Sequence, residues 1–547
     1  MLFSFTRIYY VFASEITYVL NFCFFSYMFL PIQIDFIIDL ERIIFFFCVS
    51  CISISVFNYS HRYIQIDIFK DRFFLLLFSF VASIFILVFS SNIFCIIVGW
   101  DGLGVTSFLL VVYFQNKISI NAGLITVLTN RLGDVFLLSA IALLIPLVQW
   151  NTVFLRFSLP GNNTFLLGLL FLFGAFTKRA QIPFSRWLPA AMAAPTPVSS
   201  LVHSRTLVTA GVFLLLRFKR FFLAHSTLCL FAGSLTMCIA GIVGLFEADF
   251  KKIVALSTLR QLGLIISSLG VGAFSLTFFH LITHAFFKAL LFLTTGSTIH
   301  SAKDYQDLRK ISLPGKSAPR TLAIMLIANF RLIGLPFLAG FYSKDLILEL
   351  MLSRIISPWI FRLFFWGTIL TVLYSMRFML LARNKFMKSF SCFAHTSRDN
   401  IIFSAYDQLF WLAVSSGAFL NWLFLKFGIR LILSPERKNF TFFMICFTLL
   451  LTIFYRQALG FLNKQKFLKW SLSRIWCLVF LRSRIGQKIL FEYTKNYEKV
   501  VEKYFVPKTI FSYFSISLHI SPILKIRSLP SFYLGFTCWV VLLLFFK

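Results

Sequence analysis

Apolar runs of membrane-crossing length follow one another almost from end to end of this chain. By length and apolarity about fifteen are spanning candidates. They lie near 8–30, 41–57, 73–89, 92–114, 123–148, 164–193, 196–217, 227–246, 250–272, 274–300, 320–356, 359–381, 408–428, 441–457 and 531–546. Inside hydrocarbon, backbone amides must be satisfied by the protein itself, and helices do this within one segment. The expected fold is an all-α polytopic membrane protein, with about fifteen transmembrane helices. Of the 547 residues, 59% are hydrophobic and 74 are Phe, which excludes a soluble enzyme.

Two of the runs are interrupted. Residues 164–193 open as an apolar helix, place Lys178 deep in the run, and then meet Pro183 and Pro189, with Pro195 and Pro197 just beyond. Regular helix cannot pass through such a stretch. In residues 320–356, Gly334, Pro336 and Gly340 precede Lys344. Irregular backbone at membrane depth is tolerated where protein buries it or a wet cavity meets it. Interrupted helices at matching places in two halves point to a transporter core built of inverted repeats. Two unrelated proline kinks are the alternative. The expected organisation is N-terminal membrane helices at 1–72, a first antiporter-like repeat at 73–217 and a second at 218–381. Additional helices at 382–457, a lateral region at 458–530 and a membrane anchor at 531–547 complete it.

The lateral region carries EYTKNYEKVVEKY, too charged to span. An amphipathic helix lying on the membrane surface or along partner proteins fits it; a solvated loop helix is the bland alternative. The formal charge is +32, from 52 Lys and Arg against 20 Asp and Glu. No nucleic-acid motif accompanies it, so anionic lipid such as cardiolipin is the expected partner of the basic loops and tail. Basic loops fall on both sides of the count and give no orientation. Cys48 and Cys51 form a lone CxxC. Without further ligands they read as buried thiols. Neither a dinucleotide fingerprint nor a Walker motif is present. The first thirty residues show no cleavage-site pattern and read as a first membrane helix.

Ionisable residues recur inside the apolar runs: Asp101, Asp134, Lys178, His203, His280, His284, Lys288, Lys344 and Asp345. Such groups are costly in lipid and mark ion or proton paths by default. A lysine snorkelling from a helix end is the competing reading for Lys178. His280, His284 and Lys288 are spaced by four and share one helix face. A zinc site there lacks the intervening Glu and a third ligand, so no metal is expected.

The segments GWDG at 99–102, KRAQIPFSRWLPAAMAAPTPVSSLVHSRT at 178–206, KKIVALSTLRQLG at 251–263, HAFFKALLF at 284–292 and GFYSKD at 340–345 occur in this order. They resemble the antiporter-like membrane subunits of respiratory complex I and of the Mrp antiporter superfamily. The resemblance is strong over 73–381 and looser beyond. It implies a distal proton-pumping subunit of the mitochondrial inner membrane. Such a subunit couples electron transfer from NADH to ubiquinone to proton translocation beside an adjacent antiporter-like subunit and other complex I membrane subunits. It implies no cofactor bound by this chain, with NADH, FMN, iron–sulfur clusters and ubiquinone held by other subunits. By motif, Asp101 takes the place of the membrane acidic residue and Lys178 that of the pump lysine. His203, His280, His284 and Lys288 form the central relay, and Lys344 with Asp345 the exit side. Burial disfavours an ammonium and a nearby carboxylate favours it, so moving the carboxylate loads or releases a proton. Imidazoles pass it on. A standalone Mrp-type antiporter, which usually has further carboxy-terminal spans, and a purely structural subunit are the alternatives.

The chain departs from the pattern in three respects. The usual Glu is Asp101, one methylene shorter, and the amino end looks one span short. At Arg179, Arg186, Arg205, Arg260 and Arg331 the resembling family usually has a small residue, often Ser. AGA and AGG codons are read as Ser in many invertebrate mitochondria. One recurring substitution type therefore points to translation with the wrong code. Genuine intramembrane arginines tuning the lysines are the alternative.

Overall fold

A computed structural model describes residues 18–27, 30–65, 67–144, 162–219, 223–302, 305–308, 319–354, 357–383, 400–425 and 434–455. The chain divides into two compact units, Met1–Ile475 and Trp476–Lys547, and every described residue belongs to the first. The lateral region and the final anchor lie outside the described residues.

The amino-terminal run departs from expectation. Instead of a helix over 8–30, Tyr18–Tyr27 (β1) and Leu30–Ile38 (β2) pair antiparallel, Tyr18 opposite Ile38 and Ser26 opposite Pro31. Pro31 cannot continue a helix, and runs of Phe, Tyr, Val and Ile suit extended backbone. The carbonyl of Asp35 in β2 accepts from the backbone amide of Ser91 at 2.9 Å, which ties the hairpin to the helical part.

Helices follow: α1 Leu40–Tyr63, α2 Lys70–Phe89, α3 Ile93–Val111, α4 Lys117–Leu144 and α5 Asn162–Lys178. Short turns and a π-helical piece, Ser199–Thr206, lead into α6 Leu207–Arg217. Then come α7 Ser226–Phe246, α8 Phe250–Gly270, α9 Phe274–Ser301 and α10 Pro319–Ile333. A second π-helical piece, Phe341–Asp345, leads into α11 Leu346–Ser353. The series closes with α12 Pro358–Arg383, α13 Asn400–Leu425 and α14 Pro435–Tyr455. Among the described residues, eight helices are long and apolar enough to cross a membrane: α1 to α4, α7 to α9 and α12.

Local chemistry sets the boundaries. Asn92 caps α3 by accepting from the amide of Phe94 at 3.2 Å. Gly272, with φ +85°, stops α8 in the left-handed conformation, and α9 begins two residues on. Along the helices, Ser and Thr hydroxyls bond carbonyls one turn back, as at Ser55, Ser83, Thr126 and Thr294. This satisfies them without a partner from outside.

Helix α9 is the centre. Its most apolar 18-residue window is 100% buried and that of α8 is 94% buried, against 39% for α3 and α4. A helix apolar all round belongs inside. The helix that carries His280, His284 and Lys288 is therefore walled off by protein. Gly233 of α7 and Gly263 of α8 allow the two backbones to touch: a Cβ on Gly233 would lie 2.7 Å from the Gly263 carbonyl.

Both expected interruptions are present. After Lys178, Ala180 turns to φ +53° and the helix ends. The carbonyl of Thr177 in the last turn accepts from the Trp187 indole at 2.7 Å, so the break supplies its own partners. In the second case Gly334, φ +95°, ends α10, and Leu335 donates back to Phe330 O at 3.3 Å before Pro336.

Candidate functional site

Two clusters of ionisable and hydroxyl groups lie inside the helical unit. The first surrounds Lys178, which is fully buried, so it does not snorkel. Its Nζ donates to the carbonyl of Trp100 at 2.5 Å and sits 3.9 Å from the centre of the Trp100 ring. The same tryptophan donates its indole N–H to Asp134 Oδ1 at 2.9 Å. Trp100 thus joins Lys178 to a carboxylate on α4. Arg131 lies 3.4 Å from Asp134 Oδ2 and 3.8 Å from Asp101 Oδ2. Asp101, at 40% side-chain exposure, is the outer of the two carboxylates; Asp134 is at 12%. Asp101 is the expected carboxylate partner of Lys178; the hydrogen-bonded link from Lys178 runs through Trp100 to Asp134. The GW dipeptide explains this. A side chain one residue after Trp100 points elsewhere on α3, while the indole reaches across to Asp134 on α4.

The second cluster is built on α9. His280 and His284 are buried with ring centres 6.1 Å apart, and Lys288, one turn on, donates to the Ser257 hydroxyl of α8. The predicted stripe of three is therefore real and faces protein. His280 Nε2 lies 3.3 Å from Gln261 Oε1, and its Nδ1 lies 3.0 Å from the Ser343 hydroxyl. Ser343 belongs to the π-helical piece, as do Lys344 and Asp345. Lys344 Nζ donates to the carbonyls of Ile333 and Leu332 at 2.8 and 3.3 Å. These are last-turn carbonyls freed by the break, at the negative end of α10. Gly334, at φ +95°, makes the turn that exposes them, and the site has room beside it. A Cβ there would lie 3.4 Å from Asp345 Oδ1 and 3.8 Å from Lys344 Nζ. Gln181 in the first break accepts from Thr236 of α7 at 2.7 Å and donates to Arg179 O at 3.4 Å, adding polar groups beyond Lys178. His203 lies in Ser199–Thr206, and its side chain is outside the described residues.

Trp100, Arg131, Ser257, Gln261, Thr283 and Ser343 were not singled out from the sequence. All but Arg131, which lies three residues before Asp134, are in or beside a segment that carries the resemblance: GWDG, KKIVALSTLRQLG, HAFFKALLF or GFYSKD. That is a signal of place; the role appears only when helices far apart in sequence meet. Cys48 and Cys51 are buried free thiols. Among the described residues no group of three His, Cys, Asp or Glu could hold a metal ion.

Arg179, Arg260 and Arg331 are nearly or wholly inaccessible. All three guanidinium nitrogens of Arg179 and of Arg331 lack a hydrogen-bond partner, as do both terminal nitrogens of Arg260. Only its Nε is satisfied, by Gly367 O at 2.8 Å. Arg186 makes an interaction, and the side chain of Arg205 is outside the described residues.

Residues 90–373 match the family model described as NADH:quinone oxidoreductase/Mrp antiporter, TM. The solved Mrp complex of a Dietzia species aligns with 89% of this chain and 57% of its own, with TM-score 0.70 and 23% identity. An archaeal membrane-bound sulfane sulfur reductase aligns with 77% and 88%, TM-score 0.68 and 18% identity. The chain belongs to the NADH:quinone oxidoreductase/Mrp antiporter family. Its relatives include NADH-ubiquinone oxidoreductase chain 5 of Anopheles gambiae, 43% identical over 79% of this chain and 75% of that one. The chain 5 proteins of Locusta migratoria and Lumbricus terrestris are 40% and 37% identical. They cover 82% and 89% of this chain and 80% and 86% of their own. It is among the chain 5 proteins of that family that this chain falls.

Proposed function

We propose that this chain is a proton-translocating membrane subunit of mitochondrial respiratory complex I. The observation that carries the reading is Lys178: a fully buried lysine at a helix break, joined through Trp100 to Asp134. A lysine is costly at such depth, and ionisable groups kept there mark ion or proton paths. Arg131 stands between Asp101 and Asp134. Its movement from one to the other changes how much negative charge Lys178 feels, and so whether its ammonium keeps or gives up a proton. Gln181 and Thr236 extend polar groups from the first break. Lys288, His284 and His280 continue along α9, and Lys344 with Asp345 ends the path at the second break. His203 belongs between Lys178 and α9. Inverted repeats at 73–217 and 218–381, each with one break, would give the path its two ends. NADH, FMN, iron–sulfur clusters and ubiquinone belong to other subunits, and quinone reduction there drives this chain. Its partners are the adjacent antiporter-like subunit, the other membrane subunits and anionic lipid of the inner mitochondrial membrane.

Purification of the chain from mitochondria tests the assignment. It should bring down a flavin- and iron–sulfur-containing assembly. Truncation after Arg484, which removes the charged run EYTKNYEKVVEKY, should release the chain from that assembly while an amino-terminal part remains in the membrane. A chain that purifies without flavin or iron would contradict the assignment. A truncated chain still migrating with the assembly would contradict the role of the lateral segment.

A further inference from the structure

The hydroxyl of Ser343 has three neighbours and one proton. It donates to the carbonyl of Ala339 at 3.1 Å, lies 3.0 Å from His280 Nδ1, and lies 3.1 Å from the hydroxyl of Thr283, whose one proton is shared between Ser343 and the carbonyls of His280 at 3.1 Å and Phe279 at 3.3 Å. Ser343 and Thr283 are fully buried and His280 nearly so, so these neighbours define what the hydroxyl can do. On its other side, His280 Nε2 faces Gln261 Oε1 at 3.3 Å. An amide oxygen only accepts, so a neutral His280 keeps its proton on Nε2. Its Nδ1 is then an acceptor, and Ser343 must turn its O–H to the ring and leave Ala339 O. When His280 takes up a proton, Nδ1–H donates to Ser343 Oγ. The serine O–H then leaves the ring and returns to Ala339 O, the carbonyl it bonds in this structure. No atom changes owner in this rotation apart from the proton received by His280.

Ala339 is the residue just before Gly340, where the break gives way to the π-helical piece that carries Lys344 and Asp345. We propose that Ser343 is a positioning residue whose hydroxyl couples the proton on His280 to the hydrogen bonding of the second helix break. Protonation of His280 closes the Ser343–Ala339 bond and tightens the turn that holds Lys344 on the carbonyls of α10. Loss of that proton opens the bond and loosens the turn. The charged and titratable groups facing this centre are Lys344 on the break, with Asp345 beside it, His284 on α9 and, where residue 260 is arginine as written, Arg260 on α8.

This inference rests on the proton-translocation reading, and its test separates the two. Proton translocation and NADH oxidation are measured in proteoliposomes holding the whole complex with Ser343→Ala, Ser343→Cys or Ser343→Thr. The account expects Ala and Cys to lower translocation per NADH roughly fivefold, the factor a lost hydrogen bond gives. Thr, which keeps the hydroxyl, should stay within about twofold of wild type. A packing role gives the opposite order, because this buried site must make room for the methyl of Thr but not for the smaller Ala. Ala, which removes the hydroxyl without adding volume, decides the matter if Thr or Cys fails to assemble, and Thr, which keeps the hydroxyl, decides it if Ala fails. Wild-type translocation by Ser343→Cys or Ser343→Ala, with Lys178→Ala defective alongside, would overturn the inference and leave the function standing. Wild-type translocation by Lys178→Ala would overturn the function itself, and this inference with it.

Discussion

Lys178→Ala is expected to leave the complex assembled and to remove most of its proton translocation. The side chain fills an interior position and makes one hydrogen bond, to a backbone carbonyl that is also bonded within its helix. Its loss leaves a small void but no unpaired charge, since Asp134 keeps both the Trp100 indole and Arg131. What disappears is the buried lysine that ends α5 at the first break. A group that carries the proton itself contributes on the order of a hundredfold or more to its transfer. Translocation per NADH oxidised should therefore fall at least tenfold, as read from quenching of a pH-sensitive dye in proteoliposomes. Assembly is read from native gels of the same preparation.

Serine is expected at residues 179, 260 and 331 in peptides of the isolated protein, and at 186 and 205 with them. The physical argument rests on the first three. Each would bury a guanidinium with two or three nitrogens unpartnered. An uncompensated buried charge costs about 3–5 kcal/mol, so three together, about 9–15 kcal/mol, would rival the whole stability of an ordinary domain. A serine needs no such partner, because its hydroxyl bonds the carbonyl a turn back, as its neighbours here do. Peptide masses with serine and AGA or AGG codons at these positions would agree. Arginine in the peptides, encoded by CGN codons, would overturn the reading and make the three guanidiniums part of the path.

Most of the fold was legible because membrane helices declare themselves by length and apolarity, and because Gly334, Pro183 and Pro336 announce the breaks. The hairpin at 18–38 was not. A run rich in Phe, Val and Ile reads as a buried helix as readily as a strand, and only Pro31 hinted otherwise. Of the site, the charged residues stood out against their apolar runs. Their partners did not. Whether Lys178 answers to Asp101 or Asp134 depends on the reach of the Trp100 indole from α3 to α4, and spacing along the chain carries no such information. Ser343, one of many serines, gains a role only because the second break folds it against α9.

The central claim is that Lys178, Lys288 and Lys344 serve one connected path. A mutant cycle in proteoliposomes of the whole complex tests it most directly, with protons translocated per NADH oxidised as the readout. Lys178→Ala, Lys288→Ala and Lys344→Ala are measured singly and in pairs. Groups acting in series are non-additive, so each pair should translocate no less than its worse single member. Losses that multiply from single to pair, or single variants that translocate as wild type does, would contradict the path.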